Sequence, residues 1–381
     1  MLKNIAVFGS TGSIGTQALS VAAFHKDRFR VVAIAANRNV DLVAEQVREF
    51  RPAYVGMYDE TAAKALASLC PDVKIVSGEE VNALAALPEV DTVVNGVSGF
   101  AGLFPLLSAL SAGKTVALAN KESIVCGHRI VDAALAANGG TILPVDSEQS
   151  AIFQCLTAGR KEDVKRLILT ASGGMFRDFS CEEMQKITPA MALRHPTWNM
   201  GKKITVDSSS MFNKGLEIME AGWLFGFGPE EVGVFIHPQS IVHSMVEYLD
   251  GALIAQLAKP DMRLAIQYAL TYPERIPSQV APAGPAALCG LDFYEPDREK
   301  FPAIPLAYEA FRDGESLPIA YNSGNEIAVE NFLNGNIGFT AIADCVKYTM
   351  DRIPNGKIGS VSDILYLDKE ARRLAQEFCR R

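Results

Sequence analysis

Two carboxylates and one polar stretch are the parts of this sequence whose side chains are best suited to chemistry. Asp146 and Glu148 stand two residues apart after an apolar run at 141–145, and an extended backbone would point both side chains the same way. Residues 201–217 read GKKITVDSSSMFNKGLE and add a further carboxylate, Glu217. Oxygen ligands without clustered histidine or cysteine favour Mg²⁺ or Mn²⁺ over zinc, with Co²⁺ as a further candidate. These residues predict a divalent-cation site.

The polar stretch itself predicts a helix from about Ser208, following a short apolar strand. Asn213 and Glu217 are four apart and Lys214 and Glu217 three apart, which puts the three side chains on one helical face. That face offers donors and a positive charge for a phosphate, plus one carboxylate for a metal ion. The alternative is a solvated face with a serine N-cap. Likewise, Asp146 and Glu148 could simply cap a helix predicted at 149–156.

A glycine-rich turn, Gly9-Ser-Thr-Gly12-Ser-Ile-Gly15, lies between the first predicted strand and the first predicted helix. Glycines let the backbone approach a pyrophosphate, and the helix N-terminus supplies amide donors. After the second strand the sequence reads Ala36-Asn37-Arg38-Asn39, without a carboxylate before Asp41. Because NADP needs a cation there and NAD an acid, the predicted cofactor is NADPH. The alternatives are a turn without ligand and an ordinary exposed arginine.

Further candidate residues lie at the ends of predicted strands. Asn120, Lys121 and Glu122 follow a strand at 115–119, where open α/β sheets bind ligands. We expect Asn120 and Glu122 near the nicotinamide and Lys121 facing the substrate. Ser172, flanked by Gly173 and Gly174, could hold an anion or merely form a turn.

A polar loop at 195–201 contains Trp198, which could cover a ligand as a lid or anchor the loop to the core. His237 and His243 lie in an apolar setting, which favours structural histidines over ligands.

The elements that would position these residues form an α/β pattern. Predicted strands at 5–8, 31–35, 54–57, 74–76, 92–95, 115–119 and 141–145 alternate with helical segments such as 41–50 and 60–69, which is typical of a Rossmann-like, doubly wound parallel sheet. Strands at 166–170, 232–236, 244–248 and 253–257 predict an α+β catalytic domain, and helical segments at 305–312, 325–334, 340–350 and 361–380 predict a helical bundle. The predicted domains are an NADPH-binding domain at 1–149, a metal- and substrate-binding domain at 150–275, a linker at 276–300, and the helical bundle at 301–381.

Composition bounds the class of protein. A chain of 381 residues is too long for a single ordinary hydrophobic core, so two or three domains are expected. Its content of 49% hydrophobic and 21% charged residues is typical of a globular protein. A net charge of −8 argues against a nucleic-acid partner. Seven dispersed cysteines without a C-x-x-C pair indicate reduced thiols. No apolar run is long enough to span a bilayer. The first predicted strand follows Met1 too closely to leave room for a leader peptide. We expect a cytoplasmic enzyme without a membrane partner.

Seven segments, in this order, resemble the 1-deoxy-D-xylulose 5-phosphate reductoisomerase family. They read GSTGSIG (9–15), ANKES (119–123), PVDSE (144–148), ASGG (171–174), RHPTWNMG (194–201), VDSSSMFNKGLE (206–217) and IHPQSIVHSMV (236–246). The similarity extends over nearly the whole chain, and its central motifs are highly specific. It implies an NADPH-dependent enzyme of the methylerythritol phosphate route to isoprenoids, acting on a sugar phosphate as a homodimer.

The resemblance also implies roles for individual residues. Asp146, Glu148 and Glu217 would hold the cation, through which the two glutamates also meet the substrate. The substrate would be bound by Lys121, Ser147, Ser172, His195, Ser208, Asn213 and Lys214. NADPH would contact Thr11, Gly12, Ser13, Ile14, Asn37, Arg38, Asn39, Asn120, Glu122 and Gly201. Trp198 would lie on a mobile lid, and the catalytic residues would be Lys121, Glu148, His195 and Trp198.

The family reaction is most often written as retro-aldol cleavage and aldol recombination, after which NADPH reduces the bound aldehyde to 2-C-methyl-D-erythritol 4-phosphate. Two other hypotheses remain. An NADP-dependent semialdehyde dehydrogenase with Cys126 as nucleophile would be active without metal and inactive as Cys126→Ala. A redox-sensing nucleotide-binding module would explain the N-terminal domain but leave the carboxylates without a role.

Overall fold

The computed structural model describes residues 2–194, 201–354 and 356–381. Its strands are β1 (Lys3–Phe8), β2 (Phe29–Ala36), β3 (Tyr54–Met57), β4 (Lys74–Ser77), β5 (Thr92–Asn95), β6 (Thr115–Leu118), β7 (Thr141–Pro144), β8 (Val164–Ala171), β9 (Val232–Ile236), β10 (Val242–Tyr248) and β11 (Leu253–Leu257). Its α-helices are α1 (Ser13–Phe24), α2 (Val40–Phe50), α3 (Glu60–Leu69), α4 (Leu103–Ser111), α5 (Lys121–Asn138), α6 (Ser147–Leu156), α7 (Cys181–Met184), α8 (Pro189–Ala192), α9 (Lys202–Ser210), α10 (Phe212–Phe225), α11 (Met262–Thr271), α12 (Ala303–Asp313), α13 (Ser316–Leu333), α14 (Ala341–Met350) and α15 (Val361–Cys379).

The chain divides into two compact units. The first comprises Met1–Ser123, Ile130–Ser150 and Asp261–Ala281, and the second comprises Ile124–Arg129, Ala151–Pro260 and Pro282–Arg381. The predicted four-part division remains a prediction, and the compact units differ from it at 124–129, which joins the second unit, and at 261–281. The segment 261–281 includes α11 and joins the first unit because Lys3 Nζ donates to Leu270 O at 2.6 Å and Gln267 Oε1 lies 3.2 Å from His25 Nε2.

The first unit is built on a seven-stranded parallel sheet with the order β4-β3-β2-β1-β5-β6-β7. Residues 5–8 of β1 are fully buried, as expected for a parallel sheet covered on both faces. Because the chain leaves β1 toward β4 and returns to β5 on the other side, the sheet has a switch point between β1 and β5. Ligands of open α/β sheets bind at such a point.

The second unit contains a four-stranded mixed sheet, β11-β10-β8-β9, in which β10 is antiparallel to β8 and β11 while β8 and β9 are parallel. Helices α12–α15 follow as the predicted helical bundle. The predicted fold class is thus confirmed. Among the described helices, none combines the length and apolar character that a membrane span needs.

One local prediction was wrong. The polar stretch does not form a single helix from Ser208 after a strand, because residues 202–210 already form α9 and Met211 then adopts a left-handed backbone with φ of 65° before α10 begins. The β-branched residues before Ser208 are helical because tertiary contacts override their propensity. Val206 is fully buried and the Thr205 hydroxyl donates to Gly201 O at 2.9 Å. Ser208 therefore lies on a different helix from Asn213, Lys214 and Glu217.

Candidate active site

The glycine-rich turn lies at the switch point of the first unit's sheet. Gly9 has φ of +74°, and a Cβ there would come within 2.5 Å of Gly96 O, while one at Gly15 would come within 2.2 Å of Gly9 O. No described side chain caps the start of α1, which begins at Ser13 and Ile14 directly after the turn residues Thr11 and Gly12. A tight backbone cradle at an uncapped helix N-terminus fits a pyrophosphate.

The end of β2 carries the residues predicted to select NADPH. Asn37, Arg38 and Asn39 are exposed, and the Asn39 side chain accepts from Leu42 N at 3.2 Å as the cap of α2. Arg38 Nε donates to Asp59 Oδ2 at 2.9 Å. The backbone amide of Ala62 and the charge of Arg38 lower the pKa of Asp59. This ion pair holds the guanidinium beyond the carboxyl end of β2, where a 2′-phosphate would need it.

Asn120 has a structural role that the sequence did not reveal. Its side chain is buried, accepts from Ser123 N at 2.9 Å, and donates to Val97 O at 2.9 Å, Gly99 O at 2.8 Å and Glu122 Oε2 at 2.8 Å. These bonds fix the loop that follows β5. The cofactor contacts of Asn120 and Glu122 stay predictions.

The two carboxylates of the D-x-E segment lie at the carboxyl end of β7. Lys121 Nζ, at the start of α5, donates to Asp146 Oδ2 at 2.9 Å, and both side chains are largely buried, at 12% and 14% exposure. Ser147 begins α6, and its hydroxyl donates to Glu148 Oε2 at 2.5 Å. A positive charge already stands beside Asp146. This environment of oxygen donors fits a hard divalent cation.

Glu217 lies in the second unit, on α10, and is 1% exposed. Lys214 forms an ion pair with it, and Asn213 Nδ2 also donates to its carboxylate. A buried carboxylate is costly unless it is paired and hydrogen-bonded, so the three residues form one interdependent group. The prediction had assigned Asn213 and Lys214 to the substrate and Glu217 to the metal. Here Asn213 and Lys214 both contact Glu217.

The start of α10 is a second place, after the start of α1, where an anion could bind. No described side chain caps this helix, and Lys214 lies in its first turn. The turn after β8 abuts the end of α9, because a Cβ on Gly174 would come 2.8 Å from Ser209 Cα and 3.0 Å from Ser208 O. Gly174 N also donates to Ser172 Oγ at 3.3 Å. The second unit thus brings the Ser172 turn against Ser208.

Close packing fixes the position of α10. A Cβ on Gly215 would lie 1.8 Å from Tyr321 Oη, and one on Gly222 would lie 2.0 Å from Phe311 Cζ. Asp207 anchors the preceding helix: it is 1% exposed, pairs with Lys203 Nζ at 2.7 Å and accepts from Asn325 Nδ2 on α13 at 2.8 Å. Asp207 is not among the predicted site residues, although its four-residue spacing from Lys203 was a usable signal.

Several other candidates have a clear location. His237 Nδ1 lies 2.9 Å from Asp292 O, and His237 Nε2 accepts from Ile241 N at 3.1 Å, which suits a structural histidine. Cys126 is 1% exposed, which disfavours a thiol nucleophile. Gly201 is exposed at the start of α9. His195 and Trp198 lie outside the described residues.

A nucleotide turn at the switch point of a parallel sheet, with Arg38 at the end of β2, defines the class of NADP-dependent oxidoreductases. Family models match the chain at residues 5–128 (1-deoxy-D-xylulose 5-phosphate reductoisomerase), 142–225 (the same enzyme's C-terminal domain) and 257–374 (DXP reductoisomerase C-terminal domain). The chain belongs to the 1-deoxy-D-xylulose 5-phosphate reductoisomerase family, and it is an NADP-dependent oxidoreductase.

Relatives of that name extend over the full chain. The protein of Geotalea uraniireducens is 47% identical over 379 residues, covering 99% of this chain and 98% of its own length. That of Pelotomaculum thermopropionicum is 46% identical over 384 residues, with 100% and 99% covered. The Zymomonas mobilis enzyme, solved in complex with NADPH, is 39% identical with a TM-score of 0.94, and 100% and 99% are covered. A DOX-P reductoisomerase solved with NADPH, fosmidomycin and magnesium is 39% identical with a TM-score of 0.93, and 100% and 98% are covered.

Proposed function

We propose that this chain converts 1-deoxy-D-xylulose 5-phosphate into 2-C-methyl-D-erythritol 4-phosphate with NADPH and a divalent cation, as part of isoprenoid precursor biosynthesis. The observation that carries the proposal is the full-length similarity to reductoisomerases, among them one solved with NADPH and magnesium together. The nucleotide cradle of the first unit and the carboxylates that follow β7 and lie on α10 supply the environments that these two cofactors require.

Asp146, Glu148 and Glu217 are the proposed cation ligands. Their oxygen donors suit Mg²⁺, Mn²⁺ or Co²⁺, and the amine of Lys121 and the hydroxyl of Ser147 already orient two of the carboxylates. A bound cation supplies Lewis-acid polarisation of the substrate carbonyl and favours ionisation of the neighbouring hydroxyl. Lys121 holds its ammonium proton beside the reacting end, where it can donate to a substrate oxygen.

Ser172, Ser208, Asn213 and Lys214 are the proposed substrate-binding residues of the second unit, together with His195. Their support is the uncapped start of α10, the buried lysine in its first turn and the Ser172 turn packed against α9. Because the phosphate is remote from the bonds that break, its binding energy can orient the reacting end. Trp198 is the proposed lid residue, which would exclude water.

The proposed NADPH contacts are those implied by the family motifs. Thr11, Gly12, Ser13 and Ile14 would line the pyrophosphate, and Arg38, flanked by Asn37 and Asn39, would meet the 2′-phosphate. Asn120, Glu122 and Gly201 would face the nicotinamide half. The cradle at Gly9 and the ion pair that holds Arg38 support this assignment.

A homodimer is the proposed assembly. The edge strand β11 exposes Leu253 at 56%, Ile254 at 36% and Leu257 at 38%, and an exposed apolar sheet edge is a ready partner for another strand. A second copy of this chain is the proposed occupant. Sedimentation velocity should give a dimer, and Leu253→Lys should shift it toward the monomer. The cytoplasm is the proposed location, since none of the seven cysteines, all within the described residues, forms a disulfide.

The function is tested by incubating the protein with 1-deoxy-D-xylulose 5-phosphate, NADPH and Mg²⁺ while NADPH absorbance and product mass are followed together. We expect one NADPH to be consumed for each molecule of 2-C-methyl-D-erythritol 4-phosphate, with Cys126→Ala retaining turnover. NADPH consumption without that product, or turnover that depends on Cys126 and not on metal, would favour the semialdehyde dehydrogenase hypothesis.

A further inference from the structure

The C-terminal helices contain two cysteine thiols in contact, and neither has a role in the reaction. Cys345 Sγ, on α14, lies 3.8 Å from Cys379 Sγ, at the end of α15. Cys345 is fully buried, whereas Cys379 is half-buried and so has one side open to small solutes. The two residues are 34 apart in sequence, so folding of the bundle, and not chain proximity, brings them together.

The last turn of α15 is held where it presents Cys379 to Cys345. Tyr348 lies one turn after Cys345 on α14, and its ring centroid is 5.5 Å from that of Phe378. Arg381 Nη2 donates to Tyr348 Oη at 2.6 Å and to Glu377 Oε1 at 2.7 Å. These contacts flank Cys379 on both sides. The encounter of the two sulfurs is therefore built into the helix pair.

The two thiols differ in pKa and in accessibility, so that one is suited to react with an oxidant and the other to form the disulfide with it. The hydrogen bond between the two sulfurs lowers the pKa of Cys379, while that same bond and burial raise the pKa of Cys345. Because thiolate is the form that reacts with oxidants, and because Cys379 is also the more accessible sulfur, Cys379 is the first to react. Cys345 then stands at contact distance to resolve it.

We propose that Cys345 and Cys379 form a peroxide-sensitive thiol pair that closes to an intramolecular disulfide. The Cys379 thiolate attacks one oxygen of hydrogen peroxide, the O–O bond breaks, and the departing hydroxide takes up a proton as water. The Cys345 sulfur then attacks the resulting sulfenic sulfur, the S–O bond breaks, and water leaves with the Cys345 proton. Two thiols lose two electrons in total, and one peroxide is reduced to two waters. A small dithiol reverses the change by exchange.

The direct test is non-reducing peptide mapping of the full chain after exposure to hydrogen peroxide. Trypsin releases Cys345 in the peptide 313–347 and Cys379 in the peptide 374–380. We expect these two peptides joined, with the loss of two hydrogen atoms, and separated again by dithiothreitol. The link should form at a lower peroxide dose than sulfinic acid on Cys181, an exposed cysteine. Sulfinic or sulfonic acid on Cys379 without the linked pair, or a link between two chains, would overturn the proposal.

Variants separate chemistry from folding. Cys379→Ser should abolish the link, and Cys289→Ser, which removes another exposed thiol, should leave it unchanged. In Cys345→Ala, Cys379 should proceed to sulfinic acid, and its alkylation by iodoacetamide should require a higher pH than in the wild type. If Cys345→Ala fails to fold, the linked peptide of the wild type still decides the matter. If Cys379 is alkylated with the same pH dependence in a folded Cys345→Ala and in the wild type, the role of Cys345 in activating Cys379 is contradicted.

Discussion

The Lys121 ammonium lies 2.9 Å from the Asp146 carboxylate, joining the start of α5 to the end of β7. Both side chains are largely buried, so their charges interact more strongly than those of a surface pair. The amine balances one carboxylate of the proposed cation site, and in the proposed function it also donates to the substrate. This double role leads to a prediction that links stability with metal binding.

Lys121→Gln should remove a positive charge that only a cation can then replace. We expect kcat/KM to fall by about 100-fold or more, as for the loss of one preorganised donor. In thermal unfolding, Mg²⁺ should raise the Tm of the variant more than that of the wild type, because ligand binding to the folded state stabilises it. Lys114→Gln is the control, because Lys114 is only partly exposed and its amine donates to Pro88 O. Equal Mg²⁺-induced shifts would refute the charge-balancing role.

Arg38→Ala should weaken NADPH binding selectively. Loss of one charge-assisted contact with the 2′-phosphate should raise Kd for NADPH by about 10-fold, while Kd for NADH changes little. The preference of the wild type for NADPH over NADH should also decline as the ionic strength rises, because Arg38 is exposed. Fluorescence titration of both nucleotides measures this, with the exposed Arg48→Ala as control. A parallel loss of NADH affinity would mean that Arg38 does not read the phosphate.

Gly215→Ala should displace α10 from α13. The added methyl would overlap Tyr321 Oη, and such overpacking costs about 1–3 kcal/mol. Because α10 carries Lys214 and Glu217, we expect kcat to fall together with the free energy of unfolding. Tyr321→Phe, which removes the hydroxyl, should restore part of both losses in the double variant. Gly284→Ala, with open space around its Cα, should be neutral. A fully active Gly215→Ala would show that α10 tolerates a shift.

The stacked pair His128 and Trp223 predicts a pH dependence of stability. Their ring centroids are 4.0 Å apart, and burial, followed by the charge of Arg129, lowers the pKa of His128 from 6.5 to about 4. The unfolded chain therefore binds the proton first. The stability that the neutral His128 contributes to the fold is therefore fully present above pH 6.5. It is lost as the pH falls toward 4, and the loss in the free energy of unfolding is at most about 3 kcal/mol.

His128→Phe keeps an aromatic stack but cannot titrate. We expect urea unfolding of the variant to show a shallower loss of stability than the wild type between pH 6.5 and pH 4.5, and nearly equal stability at pH 7. Identical slopes in the two proteins would assign the acid sensitivity to other groups.

Much of the first unit followed from its sequence because buried parallel strands are short apolar runs bounded by turns. The observed β3 and β5 coincide with the predicted 54–57 and 92–95. Helix α13 instead begins nine residues before the predicted Asn325. Its Pro318 sits near the first turn, where a proline is tolerated, and Gly324 packs close to Thr349. Neither the position of Pro318 within the helix nor the packing of Gly324 is visible in a local pattern.

The residue types of the site were predictable, but their arrangement was not. Carboxylates after a strand and a lysine at a strand end carry their own chemical signal. The break at Met211 does not, because a left-handed methionine has no sequence signature. Asn120 was equally hidden, since its bonds go to backbone carbonyls of Val97 and Gly99, more than twenty residues away.

The central claim is that Glu217 helps to hold a catalytic cation. Its most direct test is the Mg²⁺ and Mn²⁺ dependence of NADPH oxidation by 1-deoxy-D-xylulose 5-phosphate, compared in the wild type, Glu217→Gln and the exposed control Glu230→Gln. We predict that EDTA abolishes wild-type turnover and metal restores it. Glu217→Gln should lose about 100-fold or more in kcat/KM, need far more metal, and still bind NADPH normally. Turnover without metal in the wild type, or an unaffected Glu217→Gln, would contradict the claim.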